Sequence, residues 1–160
     1  MIKHVAMQQK ETVAVIGAAS EEGRSIVSKL AHASCRLLLM DEDAEGLAAL
    51  RQSLTNTRAE IDNVPCCREA SWEADLILIA KEQISIEDTA KKMAQVATTK
   101  TVIYLTKDND DAFERLQQLL PHSRLVKAQH NNDELILSQS DAAAGVAELF
   151  RSAGFTLQFQ

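Results

Sequence analysis

Short apolar runs alternate along this chain with longer stretches in which apolar positions recur every three or four residues. The runs are rich in Val, Ile and Leu, as strands covered on both faces require. They predict strands at Thr12–Gly17, Arg36–Met40, Ala59–Asn63, Leu76–Ala80, Thr101–Thr106 and Arg124–Ala128. Helical patterns fill the gaps: Leu47, Leu50 and Leu54 share one face of a second helix, and Phe113, Leu116, Leu119 and Leu120 share one face of a later helix. Strands alternating with helices are the mark of βαβ units, so the expected fold class is α/β, a doubly wound parallel sheet in the order 3-2-1-4-5-6. After the sixth strand, "ELILSQS" predicts a strand, "DAAAGVAELFRSAG" a helix running from an Asp141 N-cap to Gly154, and "FTLQF" a last strand. This strand, helix, strand appendix extends the sheet edge. No repeat, linker or shift of composition interrupts the pattern, so residues 1–160 are expected to form one domain.

Composition narrows the function classes. With 46% hydrophobic and 25% charged residues and little Gly or Pro, the chain has the make-up of a globular protein rather than a disordered one. A formal charge of −6 with no basic stripe argues against a nucleic-acid partner. The start, "MIKHVAMQQKE", has no apolar core of signal-peptide length, and no run of about 18 apolar residues occurs, so no membrane partner and a cytoplasmic location are expected. Cys35, Cys66 and Cys67 are odd in number, and the adjacent pair makes a strained disulfide, which suits a reducing compartment. The four histidines, His4, His32, His122 and His130, are scattered singly, so no metal site is expected.

The candidate chemistry lies in "TVAVIGAASEEGRSIV", where the first strand meets the first helix. A dinucleotide-binding turn needs a tight bend, close backbone approach to the pyrophosphate, and close packing of helix on strand. Gly17 suits the bend and Gly23 the packing, with Ala18 and Ala19 between them. Ser20 stands at the approach position, where its Cβ pushes a ligand outward while its hydroxyl offers a hydrogen bond to phosphate. Glu21 and Glu22 fall in the first helical turn, where the macrodipole favours carboxylates and where a phosphate would otherwise sit. Asp41 ends the second strand, 24 residues after Gly17, at the place of an acid that binds ribose hydroxyls. Asp41 or Asp43 equally suits the N-cap of the next helix, and both readings stand. Ala80 and Lys81, at the end of the fourth strand, complete the expected cofactor-binding set of Gly17, Ala18, Ala19, Ser20, Glu21, Gly23, Asp41, Ala80 and Lys81. Asp41 and Glu42 put negative charge where a 2′-phosphate would lie, so NAD is expected over NADP, with weak pyrophosphate binding at the loop.

Elsewhere the signals are thinner. Lys81, Asp108 and His130 lie at predicted strand ends, where they read as solvated loop residues or as the lining of a shared polar cleft, the solvated reading being preferred. Tyr104 and Lys107 are one residue too close for the Tyr-x-x-x-Lys dyad of short-chain dehydrogenases. Trp72 reads as a packing anchor, and Met7, Met40 and Met93 as core fillers.

Several of these stretches together resemble the N-terminal NAD(P)-binding Rossmann domain of the coenzyme deazaflavin-dependent NADP oxidoreductases, a family whose relatives include the cytoplasmic domain of membrane ferric reductases. The family's G-G-T-G-x-x-G loop corresponds to "GAASEEG", its "ADLILLA" to "ADLILIA" at Ala74 to Ala80, and its "LPxxRVVKAFN" to "LPHSRLVKAQH" at Leu120 to His130. The resemblance implies a Rossmann fold and a nicotinamide dinucleotide. The cleft-lining loops depart from the family pattern: Lys81 and Glu82 replace a V-P pair, "TKDNDD" replaces an N-P turn, and "AQH" replaces A-F-N. Two function classes follow. One is an NAD(P)-binding oxidoreductase, or the dinucleotide-binding component of one, with a small-molecule substrate. The other is a noncatalytic Rossmann-like module of regulation or assembly that has lost cofactor affinity. A homodimer is compatible with either.

Overall fold

The computed structural model describes residues 10–80, 86–106 and 112–160. Along them run β1 (Glu11–Ile16), α1 (Glu21–Leu30), β2 (Cys35–Met40), α2 (Ala44–Ser53), β3 (Glu60–Asn63), α3 (Cys67–Glu73), β4 (Leu76–Ile79), α4 (Ile86–Met93), β5 (Thr101–Leu105), α5 (Ala112–Leu119), β6 (Arg124–Asn131), β7 (Glu134–Leu137), α6 (Asp141–Ser152) and β8 (Thr156–Phe159). The strands form one sheet in the order β3-β2-β1-β4-β5-β6-β7-β8. The expected central order and the appendix at its edge are both present.

β1 pairs in parallel with β2 on one side and β4 on the other, and β5 and β6 continue the parallel run. Because β1, β4 and β5 are flanked by strands and covered by helices, their inner residues are apolar: Val13 to Ile16 of β1, all four residues of β4 and Val102 to Leu105 of β5 are buried. The alternation of side chains divides this apolar content between two cores. Val13, Val15, Leu37, Leu39, Leu76 and Leu78 pack beneath α1, α2 and α6. Ala14, Ile16, Leu38, Ile77, Ile79 and Tyr104 face α3, α4 and α5. Among the described residues only β6 and β7 pair antiparallel, through a hairpin whose turn residue Asn132 has φ 57°.

Three expectations need correction. The sixth strand does not stop at Ala128 but runs on to Asn131, because pairing with β7 supplies partners for its polar end. The cap of α6 is Ser140 rather than Asp141: its extended backbone lets Oγ accept from Ala143 N–H at 3.1 Å, leaving Asp141 in the first turn. Trp72 is no packing anchor. It is 69% exposed, while Ala70 and Ser71 take the buried side of α3. The cysteines are free, with Cys35 and Cys67 buried and Cys66 exposed. Burial, reinforced by the nearby Glu11, pushes the Cys35 thiol up to about 11, which makes it unreactive.

Candidate functional site

The turn between β1 and α1 sits at the carboxyl end of the central strand, flanked by the ends of β2 and β4. Gly17 bends the chain with φ 85°, a left-handed conformation that disfavours side chains. Its N–H and that of Ala18 both donate to Met40 O, at 2.8 and 3.1 Å, which fastens the loop to β2. Gly23 allows the helix to lie against this loop, since an added Cβ would sit 2.3 Å from Gly17 O and 2.8 Å from Ala18 O. The two glycines therefore serve the bend and the close packing.

Ser20 organises the loop. It is the N-cap of α1, with Oγ accepting from Gly23 N–H at 3.1 Å. Its proton is shared between Gly17 O at 2.7 Å and Ala80 O at 3.3 Å. The hydroxyl thus closes the loop and joins it to β4. Ala80 N–H donates to Ile16 O at 2.8 Å, so Ala80 lies beside the turn as expected.

Asp41 reaches into the same loop. Its Oδ2 accepts from Ala19 N–H at 2.9 Å and its Oδ1 from Asp43 N–H at 3.0 Å. The capping role falls to Asp43, whose side chain accepts from Gly46 N–H at 2.9 Å. With Ser20 N–H turned to Gly17 O at 3.1 Å, the amides of residues 17 to 20 and of Gly23 all have intramolecular acceptors. Among the described residues the N–H groups of Glu21 and Glu22 are left open, as the first amides of a helix are. Glu21 and Glu22 themselves occupy the first turn of α1, and Asp41 reaches the same loop. The nearest downstream arginine, Arg51, donates to Ile61 O at 2.6 Å and is turned toward β3.

The structure therefore brings Gly17, Ala18, Ala19, Ser20, Glu21, Gly23, Asp41 and Ala80 together. Lys81, Glu82, Lys107 and Asp108 lie outside the described residues, as do His4 and Met7. His130, read from the sequence as a solvated strand-end residue or part of a polar cleft, is instead tied to α1. Its Nδ1 lies 2.8 Å from Glu22 Oε2, its ring meets Phe155 edge-on at 5.8 Å between centroids, and its side chain is 6% exposed. A second link runs alongside it. Lys29, two turns further along α1, pairs with Asp133 of the β6–β7 turn at 2.7 Å and lies over the Phe155 ring. The Lys29 hydrogen bond holds the Asp133 carboxyl below the usual carboxylate range. No single stretch of sequence signals the Glu22–His130 pair.

No protein-family model matches this chain, and no curated protein matches it in sequence. Solved structures match it in fold. It is similar to a pyrroline-5-carboxylate reductase from Coxiella burnetii, with TM-score 0.72, 16% identity, and coverage of 95% of this chain and 59% of that one. It is similar to a 3-hydroxyacyl-CoA dehydrogenase from Archaeoglobus fulgidus, with TM-score 0.69, 21% identity, and coverage of 93% and 56%. It is also similar to 5-formyl-3-hydroxy-2-methylpyridine 4-carboxylic acid 5-dehydrogenase, an NAD+-dependent dismutase, with TM-score 0.72, 17% identity, and coverage of 94% and 57%. The chain thus has the Rossmann-like fold of dehydrogenases and reductases, and spans somewhat over half the length of these structures. Among the described residues no helix is long and apolar enough to cross a membrane.

Proposed function

We propose that this chain is a nicotinamide-dinucleotide-binding component of an oxidoreductase, with NAD preferred to NADP. The observation that carries this reading is the turn at the centre of the sheet. Gly17 has the left-handed bend, Gly23 has no room for a Cβ, and Asp41 at the end of β2 reaches the loop. The site fits the cofactor on its own terms: the open amides of Glu21 and Glu22 would meet the pyrophosphate, and Asp41 the adenosine ribose. When bound, the nicotinamide supplies hydride chemistry; the protein supplies position. The acids beside Asp41 and the diversion of Arg51 to β3 support NAD. Resemblance to deazaflavin-linked enzymes supports a redox partner of that kind, although those enzymes use NADP.

One feature favours the second reading, a noncatalytic module. The loop answers most of its own amides, and two carboxylates stand in the first turn of α1. Titration with NADH and NADPH, followed by the emission of the reduced nicotinamide itself, separates the two. Saturable NADH binding, weaker for NADPH, is expected. Tighter NADPH binding overturns the cofactor choice, and binding of neither leaves the noncatalytic module.

A further inference from the structure

The sheet ends at β8, and the outer side of that strand is open. β8 pairs in parallel with β7, with Thr156 opposite Glu134 and Phe159 opposite Leu137. In such a ladder alternate residues turn both their N–H and C=O to the same neighbour. Thr156 N–H donates to Asp133 O at 2.9 Å, Gln160 N–H donates to Leu137 O at 3.0 Å, and Gln160 O accepts from Gln139 N–H at 2.7 Å, so residues 156, 158 and 160 face β7. The N–H and C=O groups of Leu157 and Phe159 therefore point away from the sheet, and among the described residues they have no partner. The side chains of the same two residues share the α6 face, where Leu157 packs half-buried against the core and Phe159 is 37% exposed. Soluble proteins commonly guard an open edge with charge, as Glu60 and Asp62 guard β3; Thr156, Leu157, Gln158 and Phe159 leave β8 unguarded.

We propose that β8 is a dimerisation strand whose partner is β8 of a second copy of this chain, running antiparallel about a two-fold axis through Gln158. The open groups set the register. With the axis at Gln158, Leu157 of each copy lies opposite Phe159 of the other, and each such pair exchanges both backbone hydrogen bonds, so every open group on the two strands is used. An axis at Leu157 would instead oppose Phe159 to Phe155, whose N–H already donates to Phe150 O at 3.1 Å. The side chains agree with this register. The two-fold keeps both α6 faces on one side of the joined sheet, so the exposed ring of Phe159 packs on Leu157 of the second copy. On the other face Gln158 meets its own counterpart and Thr156 meets Gln160, so no like charges oppose one another although the chain carries a net −6. Pairing of β8 with β3 of another copy would set it against Glu60 and Asp62 and leave free edges for further chains, whereas the two-fold contact closes. The proposal is independent of the dinucleotide reading.

Sedimentation equilibrium of the full chain tests it. The average mass is expected to rise from 17.6 kDa towards twice that value. The rise should fall between about 5 and about 500 μM, since a short interface gives micromolar association. Phe159→Pro deletes the ring and an N–H that no bond within the chain uses, and Phe159→Lys places a charge on the edge; both variants should stay monomeric over this range. Cross-linking reads the register in a Cys66→Ser background, which removes the exposed native thiol. Counterparts of Gln158 form a non-hydrogen-bonded pair with Cα atoms about 4.5 Å apart, within disulfide reach. Counterparts of Thr156 lie about 13 Å apart along the strands. Under copper–phenanthroline oxidation Gln158→Cys should therefore give a covalent dimer at least tenfold faster than Thr156→Cys. A mass that stays at 17.6 kDa throughout, self-association that survives both Phe159 substitutions, or equal cross-linking at the two positions overturns the proposal.

Discussion

Gly23 shows how a single missing atom shapes the loop. An alanine methyl at this position would lie 2.3 Å from Gly17 O, and both neighbours on the contact side are backbone atoms that cannot rotate away. Gly23→Ala should therefore cost roughly 2–4 kcal/mol, in the range of overpacking combined with backbone displacement, and should show as a lower midpoint in urea denaturation. A loss below half a kcal/mol would mean that α1 can shift off the loop. The bend at Gly17, the close packing at Gly23 and the place of Asp41 just after β2 were legible in the sequence, because they are local demands with a fixed order along the chain. Ser20 was only partly legible. Its place at the loop was readable, whereas its role as the cap of α1 emerges only from the three-dimensional distances to Gly23 N–H, Gly17 O and Ala80 O. The Glu22–His130 pair was illegible, since 108 positions separate its members and only the course of β6 beside α1 brings them together.

At the scale of elements, the caps account for where helices begin. Ser140 has φ −168° and ψ 166°, so its hydroxyl points back to Ala143 N–H while Asp141 enters the helix. Ser140→Ala should cost about 1 kcal/mol, the usual loss for a hydroxyl cap. Asp141→Ala should cost about 0.5 kcal/mol, the contribution of a carboxylate to the first turn. Equilibrium unfolding of the two variants in parallel checks the assignment, and the reverse ranking would restore Asp141 as the cap. The strands were readable where they are buried on both faces. They were misjudged where they leave the core: β6 ends in Gln129, His130 and Asn131, whose polarity hides the fact that β7 continues the ladder beside them.

For the whole molecule, the alternation of apolar runs with helical periods was enough to predict the sheet order, because parallel strands need crossovers and crossovers leave few arrangements. What it could not predict is how the two borders of the sheet differ. The β3 border carries Glu60 and Asp62, charges that discourage pairing with another strand, whereas β8 carries none. Nor could it predict which helical positions face water, since an aromatic residue at the end of a short helix satisfies the apolar pattern whether it is covered or not.

That last point has an optical consequence. The chain has one tryptophan, and Trp72 is 69% exposed on α3, which leads into the amino end of β4 rather than toward the Gly17–Gly23 turn. Its indole is already in water in the folded protein, so its emission maximum should lie near that of free indole and shift little on denaturation. Circular dichroism would then report unfolding while tryptophan emission stayed nearly silent. A large red shift on adding urea would show that Trp72 is covered in solution. Quenching by iodide should be efficient in the native state for the same reason, and it should be unchanged by a dinucleotide held at the other end of the strands.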